Sequence, residues 1–356
     1  MHGQEPIESG FSHESTATEV LEGIALSGKT VVITGGHSGI GLESTKAFSA
    51  AGATVIIGAR NVETAREAVA SIPNTSVLQL DLTNLDSVKH FADTLIDSSA
   101  RVDIILCNAG IMACPEARVG AGWESQFATN HLGHFALVNR LWPQLNPGAR
   151  VVCVSSAAHH LSPIRWDDLH FTGGSYDKWL AYGQSKTANA LFALQLDEYG
   201  RERGIRAFSV HPGKILTPLQ RHLERGEMVL AGWVDSEGKL VDSTFKTPEQ
   251  GAATQVWAAT SPRLSGLGGL YCEDCNIAEL HEPDLASFRG VCHHAHDFDE
   301  AARLWALSAT LTGVNAFECG APTPSTGGDT RSAATFLSLT ERATGGGRIV
   351  TQPTLE

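Results

Sequence analysis

From Lys29 onward, short apolar runs alternate with longer helical stretches, and this alternation constrains the fold more than any other feature of the chain. The runs lie at 30–34, 54–58, 76–80, 103–107, 150–155, 205–211 and 269–272, and most are continuously apolar. Such a run suits a parallel strand covered on both faces, because neither face is left for water. Helical patterns begin between them near Gly39, Val62, Asn84, Gly122, Trp179 and Pro248. Repeated strand–helix units predict an α/β fold in which a doubly wound parallel sheet of about seven strands carries helices on both faces.

The rest of the chain is organised around that unit. Residues 1–28 form an extension with one helical pattern at 16–24, and 29–319 is expected to be a single domain. The stretch 216–246 interrupts the rhythm with Leu219, Leu223, Met228, Leu230 and Trp233 among polar residues. Connections of that length are often lids over a binding site. Residues 297–311 read as an amphipathic helix carrying Phe298, Leu304, Trp305 and Leu307, and 320–356, rich in Thr, Ser, Gly and Pro, as a disordered tail. The 39 acidic against 26 basic residues, with no basic cluster, argue against nucleic acid as a partner. No apolar stretch approaches the ~20 residues that span a bilayer, and residues 1–18 lack the pattern of a signal peptide. Seven cysteines, with Cys107 and Cys153 in strand-like runs, point to reduced thiols. Together these features predict a soluble, cytoplasmic enzyme with a small-molecule substrate.

Thr34-Gly35-Gly36-His37-Ser38-Gly39-Ile40-Gly41 follows the first strand and opens the first helix. Glycine there lets backbone N–H groups approach a pyrophosphate at the positive end of a helix, as in a Rossmann-type nucleotide site. The second strand ends Gly58-Ala59-Arg60, with Ala59 where an acidic residue would select NAD. Arg60, helped by His37, is then a candidate clamp for a 2′-phosphate, so NADP(H) is expected over NAD(H). The alternative for Arg60 is a solvated charge.

Tyr182 and Lys186 stand at i and i+4 on a helix starting near Trp179, where an ammonium would lower the ordinary phenol pKa of about 10. In the same order along the chain come the Thr34–Gly41 turn, Asp81, Asn108-Ala109-Gly110, Asn130, Ser155-Ser156, Tyr182 with Lys186, and Pro212-Gly213. With these motifs the sequence resembles the short-chain dehydrogenase/reductase family over residues 29–275. Gln126–Phe135, the Ser155–Leu161 segment, and the 26 positions between Ser156 and Tyr182 are similar to its retinol-dehydrogenase and WW-domain-oxidoreductase branch. The resemblance implies a catalytic tetrad: Tyr182 as acid/base, Ser156 on the substrate oxygen, Lys186 on the nicotinamide ribose, and Asn130 supporting a water that relays protons. It further implies a cofactor pocket lined by Gly35, His37, Ser38, Gly39, Ile40, Gly41, Arg60, Asp81, Leu82, Asn108, Ala109, Gly110, Pro212, Gly213, Ile215 and Thr217. Asp81 and Asn108 would sit on the adenine side, where each also suits a helix cap or a turn. Lys214, where a small residue is expected, departs from the pattern. The resemblance also implies a homo-oligomer through the helix face 188–196.

Cys272-Glu273-Asp274-Cys275 with His281, Cys292, His293, His294 and His296 invites a zinc reading, but the second half lacks matching spacing, so no metal is expected. The histidines at 293–296 read as a solvated loop, and His159 and His160 either line the pocket or pack beside it. The expected activity is NADP(H)-dependent hydride transfer between nicotinamide and a carbonyl or alcohol of an apolar molecule, with natural substrate and direction open. The alternative is a catalytically idle NADP(H) sensor on the same fold.

Overall fold

The computed structural model of the chain describes residues 3–283, 285 and 287–317; the expected tail at 320–356 lies outside them. Eight strands form the central sheet: β1 (Thr30–Thr34), β2 (Thr54–Ala59), β3 (Thr75–Gln79), β4 (Val102–Cys107), β5 (Leu145–Val154), β6 (Arg206–His211), β7 (Leu270–Glu273) and β8 (Asn276–Ile277). Their order is 8-7-6-5-4-1-2-3, with every pairing parallel except that of β7 and β8. The seven expected strands are all present. The eighth is a two-residue antiparallel edge, too short to carry a periodic signal.

The apolar runs are continuous because successive side chains enter two separate cores. Val31 and Ile33 of β1 pack with Phe48 and Trp257, whereas Val32 packs on the opposite face with Phe91 and Leu137. Helices α1 (Gly39–Ala50) and α6 (Pro248–Thr260) cover the first face; α3 (Leu85–Asp97), α4 (Gly133–Leu141) and α5 (Lys178–Gly200) cover the second. Helix α2 (Val62–Val69) joins β2 to β3. Side-chain caps fix several starts: Asn61 accepts from Thr64 N–H, Asn84 from Asp86 and Ser87, and Asp177 from Trp179 and Leu180.

The N-terminal extension is tied to the sheet edge. Gln4 Nε2 donates to the carbonyls of Tyr271 and Ala278, both at 2.7 Å, and its Oε1 accepts from Tyr271 N–H. The stretch 216–246 contains a turn at Pro218–His222 and a short helix at Arg225–Leu230, and its base is closed by parallel pairing of Lys214–Ile215 with Phe245–Lys246. Leu230 is 90% exposed there.

Helix α7 (Phe298–Thr312) corrects the basis of the expected oligomer. Its Ala301 and Leu304 pack on Ala188, Leu191 and Leu194 of α5. Within 188–196 every residue except Gln195 is buried by this chain's own packing, so that face is not available to a second copy. Trp305 completes the seal, stacking on Phe192 with ring centres 5.7 Å apart and meeting Phe135 and Tyr199 edge-on at 4.8 Å each. Trp305→Ala removes this side chain from a filled core and is expected to lower the unfolding free energy by about 3–5 kcal/mol in urea titration. Unchanged stability would contradict the packing described.

Candidate active site

The strand order reverses between β1 and β4, and the loops leaving their C-terminal ends diverge to open a crevice. The crevice is a cleft of about 1200 Å³. All the residues predicted for the site line it except Gly41 and Asn130.

The glycine-rich turn forms one wall. Gly35 and Gly39 adopt φ of +68° and +53°, left-handed conformations that favour glycine. A Cβ on Gly41 would lie 2.5 Å from both the Gly35 carbonyl oxygen and Asn108 Nδ2, so Gly41 serves the turn by its absence of side chain. The Thr34 hydroxyl accepts the N–H groups of Asn108 and Ala109 at 3.0 and 2.9 Å, and Asn108 Nδ2 donates back to Thr34 O at 2.9 Å. His37 carries a buried Nδ1 with no hydrogen-bond partner among the described residues, and burial lowers its pKa. Arg60 is exposed at the rim, while its carbonyl is fixed by Gln79 Nε2. Asp81 caps its own turn, accepting from Thr83 N–H and Oγ1 at 2.9 and 2.7 Å, as well as facing the cleft.

The opposite wall carries the tyrosine. Asp177 starts α5 one turn before Tyr182, and Tyr182 and Lys186 are both buried on the same helix. Ser156 caps a 3-10 turn, accepting Ala158 N–H at 3.1 Å, and lines the same cleft as Tyr182, whose phenol pKa it draws down. Lys186 Nζ donates to Val154 O at 2.9 Å and stands 5.5 Å from the centre of the Tyr182 ring. Burial pushes the phenol up to about 12 and the ammonium down to about 8. The sequence spacing suggested the reverse for Tyr182, a phenol lowered by its lysine. Desolvation dominates because both groups are enclosed, and the lowering influence of Ser156 offsets only part of it.

Asn130 sits behind the wall in a π-turn, Ala128–Leu132. Its side chain is fully engaged: Nδ2 donates to Ile111 O and Ser185 Oγ, both at 2.9 Å, and Oδ1 accepts Ile111 N–H at 2.9 Å. Lys214, the departure noted in the sequence, lines the cleft and is ion-paired to Asp242 at 3.0 Å. An ion pair between Lys178 and Glu227 joins the start of α5 to the Arg225–Leu230 helix. Met112, Trp179, Leu219 and Trp233 give the cleft an apolar side near Tyr182; the aromatic pair is perpendicular with centres 6.5 Å apart. Met112 and Trp179 were not anticipated, although Trp179 is three residues before Tyr182 and so on its helix face.

His159 and His160 are buried and pack beside Ser156 instead of lining the cleft. The histidines near 293 are not a solvated loop: they form a 3-10 turn in which only His293 is exposed, and His294 Nε2 bonds the His159 carbonyl at 3.0 Å. Among the described residues, potential ligand atoms of His159, His160 and Cys292 lie within 4.8 Å of one another. Both His159 nitrogens are already committed, Nδ1 to Ser156 O at 2.7 Å and Nε2 to Cys292 N–H at 3.1 Å.

Residues 29–228 match the short chain dehydrogenase family. The chain belongs to the short-chain dehydrogenase/reductase family. It is 42% identical over 293 residues to a probable oxidoreductase of Streptomyces lividans, covering 80% of this chain and 97% of that one. It is 36% identical over 318 residues to the human WW domain-containing oxidoreductase, covering 85% and 72% respectively. Among solved structures, a putative uncharacterised protein of Mycobacterium paratuberculosis matches with a TM-score of 0.65 and 33% identity over 85% of this chain and 98% of that one. This short-chain dehydrogenase/reductase is therefore an oxidoreductase, and none of its described helices is long and apolar enough to cross a membrane. The tightness of its glycine turn is directly testable. Gly41→Ala is expected to lower stability by about 1–3 kcal/mol in thermal or urea unfolding, because the added carbon meets backbone. A wild-type unfolding curve would contradict that geometry.

Proposed function

We propose that this oxidoreductase uses NADP(H) to interconvert a carbonyl and an alcohol on an apolar small molecule, with Tyr182 moving the proton. The observation that carries the reading is that the Tyr182 phenol and Ser156 line one cleft, Tyr182 on its apolar side and the Lys186 ammonium close behind it. The cofactor fit is supported by the glycine turn at the start of α1 and by the unpartnered Nδ1 of His37. The turn would hold the pyrophosphate, and Arg60 with His37 the 2′-phosphate. Asp81, Leu82 and Asn108-Ala109-Gly110 would border the adenine side; Pro212, Gly213, Ile215 and Thr217 would border the nicotinamide, and Lys186 its ribose. The nicotinamide, when bound, supplies or takes up the hydride.

The chain's own groups handle the oxygen and its proton. Ser156 donates a hydrogen bond to the substrate oxygen, and Tyr182 delivers the phenolic proton as negative charge develops there. A phenol raised to about 12 is protonated at neutral pH, which is the form that reduction requires. Lys186 stabilises the phenolate left behind while it is charged. Asn130 acts from outside the cleft by holding the Ile111 backbone and Ser185. The segment 216–246 is read as a lid held by the Lys178–Glu227 pair. Six described cysteines are free thiols, which supports a reducing, cytoplasmic setting.

The test is NADPH consumption against a panel of aromatic and aliphatic aldehydes and ketones. Tyr182→Phe should abolish turnover, and Ser156→Ala should lower kcat by about 10²-fold. Undiminished activity of Tyr182→Phe would overturn the mechanism, whereas tight NADPH binding without any turnover by the wild type would indicate a nucleotide sensor. Arg60→Ala should weaken NADPH binding at least about tenfold more than NADH binding, by calorimetry; equal losses would reject the clamp. For reduction, kcat/KM should be flat below pH 8 and fall above it. A cation lowered to about 8 keeps its charge below that pH and loses it as pH rises. A profile rising through pH 8 would contradict this role for Lys186.

A further inference from the structure

Behind the tetrad lies a buried histidine whose hydrogen bonds can be followed proton by proton. His134 on α4 is 1% exposed; its Nε2 is 2.8 Å from Thr34 Oγ1 and its Nδ1 is 2.9 Å from the carbonyl oxygen of Asn130. A threonine hydroxyl has two lone pairs and one proton. At Thr34 the N–H groups of Asn108 and Ala109 occupy both lone pairs, so the hydroxyl proton must point outward. It has two acceptors within reach, Leu106 O at 3.4 Å and His134 Nε2 at 2.8 Å, and the shorter contact takes it. His134 Nε2 is then an acceptor without a proton. The imidazole carries its proton on Nδ1 and donates it to Asn130 O.

We propose that His134 is a positioning residue that locks the nucleotide turn to the tetrad through a directed chain, from Thr34 Oγ1–H to His134 Nε2 and from Nδ1–H to the Asn130 carbonyl. One arm sets Thr34, and with it the Asn108-Ala109 loop against the glycine turn. The other arm sets the backbone of the π-turn, from which the Asn130 side chain holds Ile111 and Ser185, the neighbour of Lys186. Burial, reinforced by the nearby Lys186 charge, holds the imidazole near pKa 4, so it stays neutral at working pH. The inference rests on the tetrad reading of the preceding section for its kinetic consequences, but not for the tautomer.

Two measurements test it. Long-range ¹⁵N-imidazole NMR of the full-length wild-type protein, with His134 assigned by loss of its signal in His134→Asn, should show the Nδ1–H form with no titration between about pH 6 and 9. A Nε2–H tautomer, or a midpoint inside that range, would overturn the chain as drawn. The second measurement separates the two arms. Asn matches the Nδ1 donor but has no group at Nε2, whereas Gln reaches the Thr34 side but gives no donor at the Nδ1 position. His134→Asn should therefore keep kcat within about threefold while raising the NADPH Kd about tenfold. His134→Gln should do the opposite, lowering kcat about tenfold with the NADPH Kd little changed. Equal effects of both variants on kcat and Kd, tracking their Tm, would reduce His134 to core packing and overturn the proposal. If one variant fails to fold, loss of the signal in the other assigns His134 and the wild-type NMR result decides. If the wild type reduces no carbonyl in the panel, the proposed activity fails, while the tautomer and the NADPH Kd of the variants still judge His134.

Discussion

The hydroxyl of Thr34, at the last position of β1, is the contact on which the rest of the site depends. The sheet reverses its order beside this strand, so the chain segments leaving β1 and β4 part company there and would drift without a tie. Thr34 supplies the tie with one oxygen, collecting two backbone N–H groups of the β4 loop and facing His134 of α4. The oxygen is buried, and a buried donor or acceptor left unpaired costs about 1–3 kcal/mol. The network is therefore maintained as a set, and the glycine turn and the π-turn hold a common frame.

Burial then decides the chemistry of the groups hung on that frame. Tyr182, Lys186, His134 and His131 are enclosed, and in each case desolvation is the leading influence on the pKa. All four move toward neutrality: the phenol upward, the ammonium and imidazoles downward. A buried site of this kind keeps Tyr182 protonated and leaves Lys186, of these four, as the group that titrates nearest to neutral pH. It also strengthens each hydrogen bond within the wall, including that from Lys186 to the Val154 carbonyl.

Much of this architecture could be read from the chain, and the exceptions have physical causes. Continuous apolar runs announced the parallel strands because each strand faces two cores, and the ordered motifs brought Ser156, Tyr182, Lys186 and the glycine turn to one cleft. The edge strand Asn276–Ile277 is too short for a period, and the anchoring of residue 4 depends on a single polar side chain, Gln4, in an otherwise polar stretch. The amphipathic pattern of α7 was visible, but not its target, the face of α5 that the family resemblance had assigned to a partner copy. Spacing at i and i+4 placed Lys186 by Tyr182 but carries no measure of burial, which reverses the expected shift of the phenol. His134 is four residues from Asn130, yet its role arises only where Thr34, 100 positions earlier, meets it.

The claim that burial holds Tyr182 as a neutral acid can be measured without substrate. The chain has four tyrosines, so ¹³Cζ-tyrosine labelling gives a simple spectrum in which Tyr182 is assigned by its loss in Tyr182→Phe. In the cofactor-free protein its resonance should remain that of a phenol through about pH 10, consistent with a value near 12. A Tyr182 phenolate formed with a midpoint near neutral pH would contradict the account, because lysine proximity would then outweigh desolvation in setting the charge of the phenol.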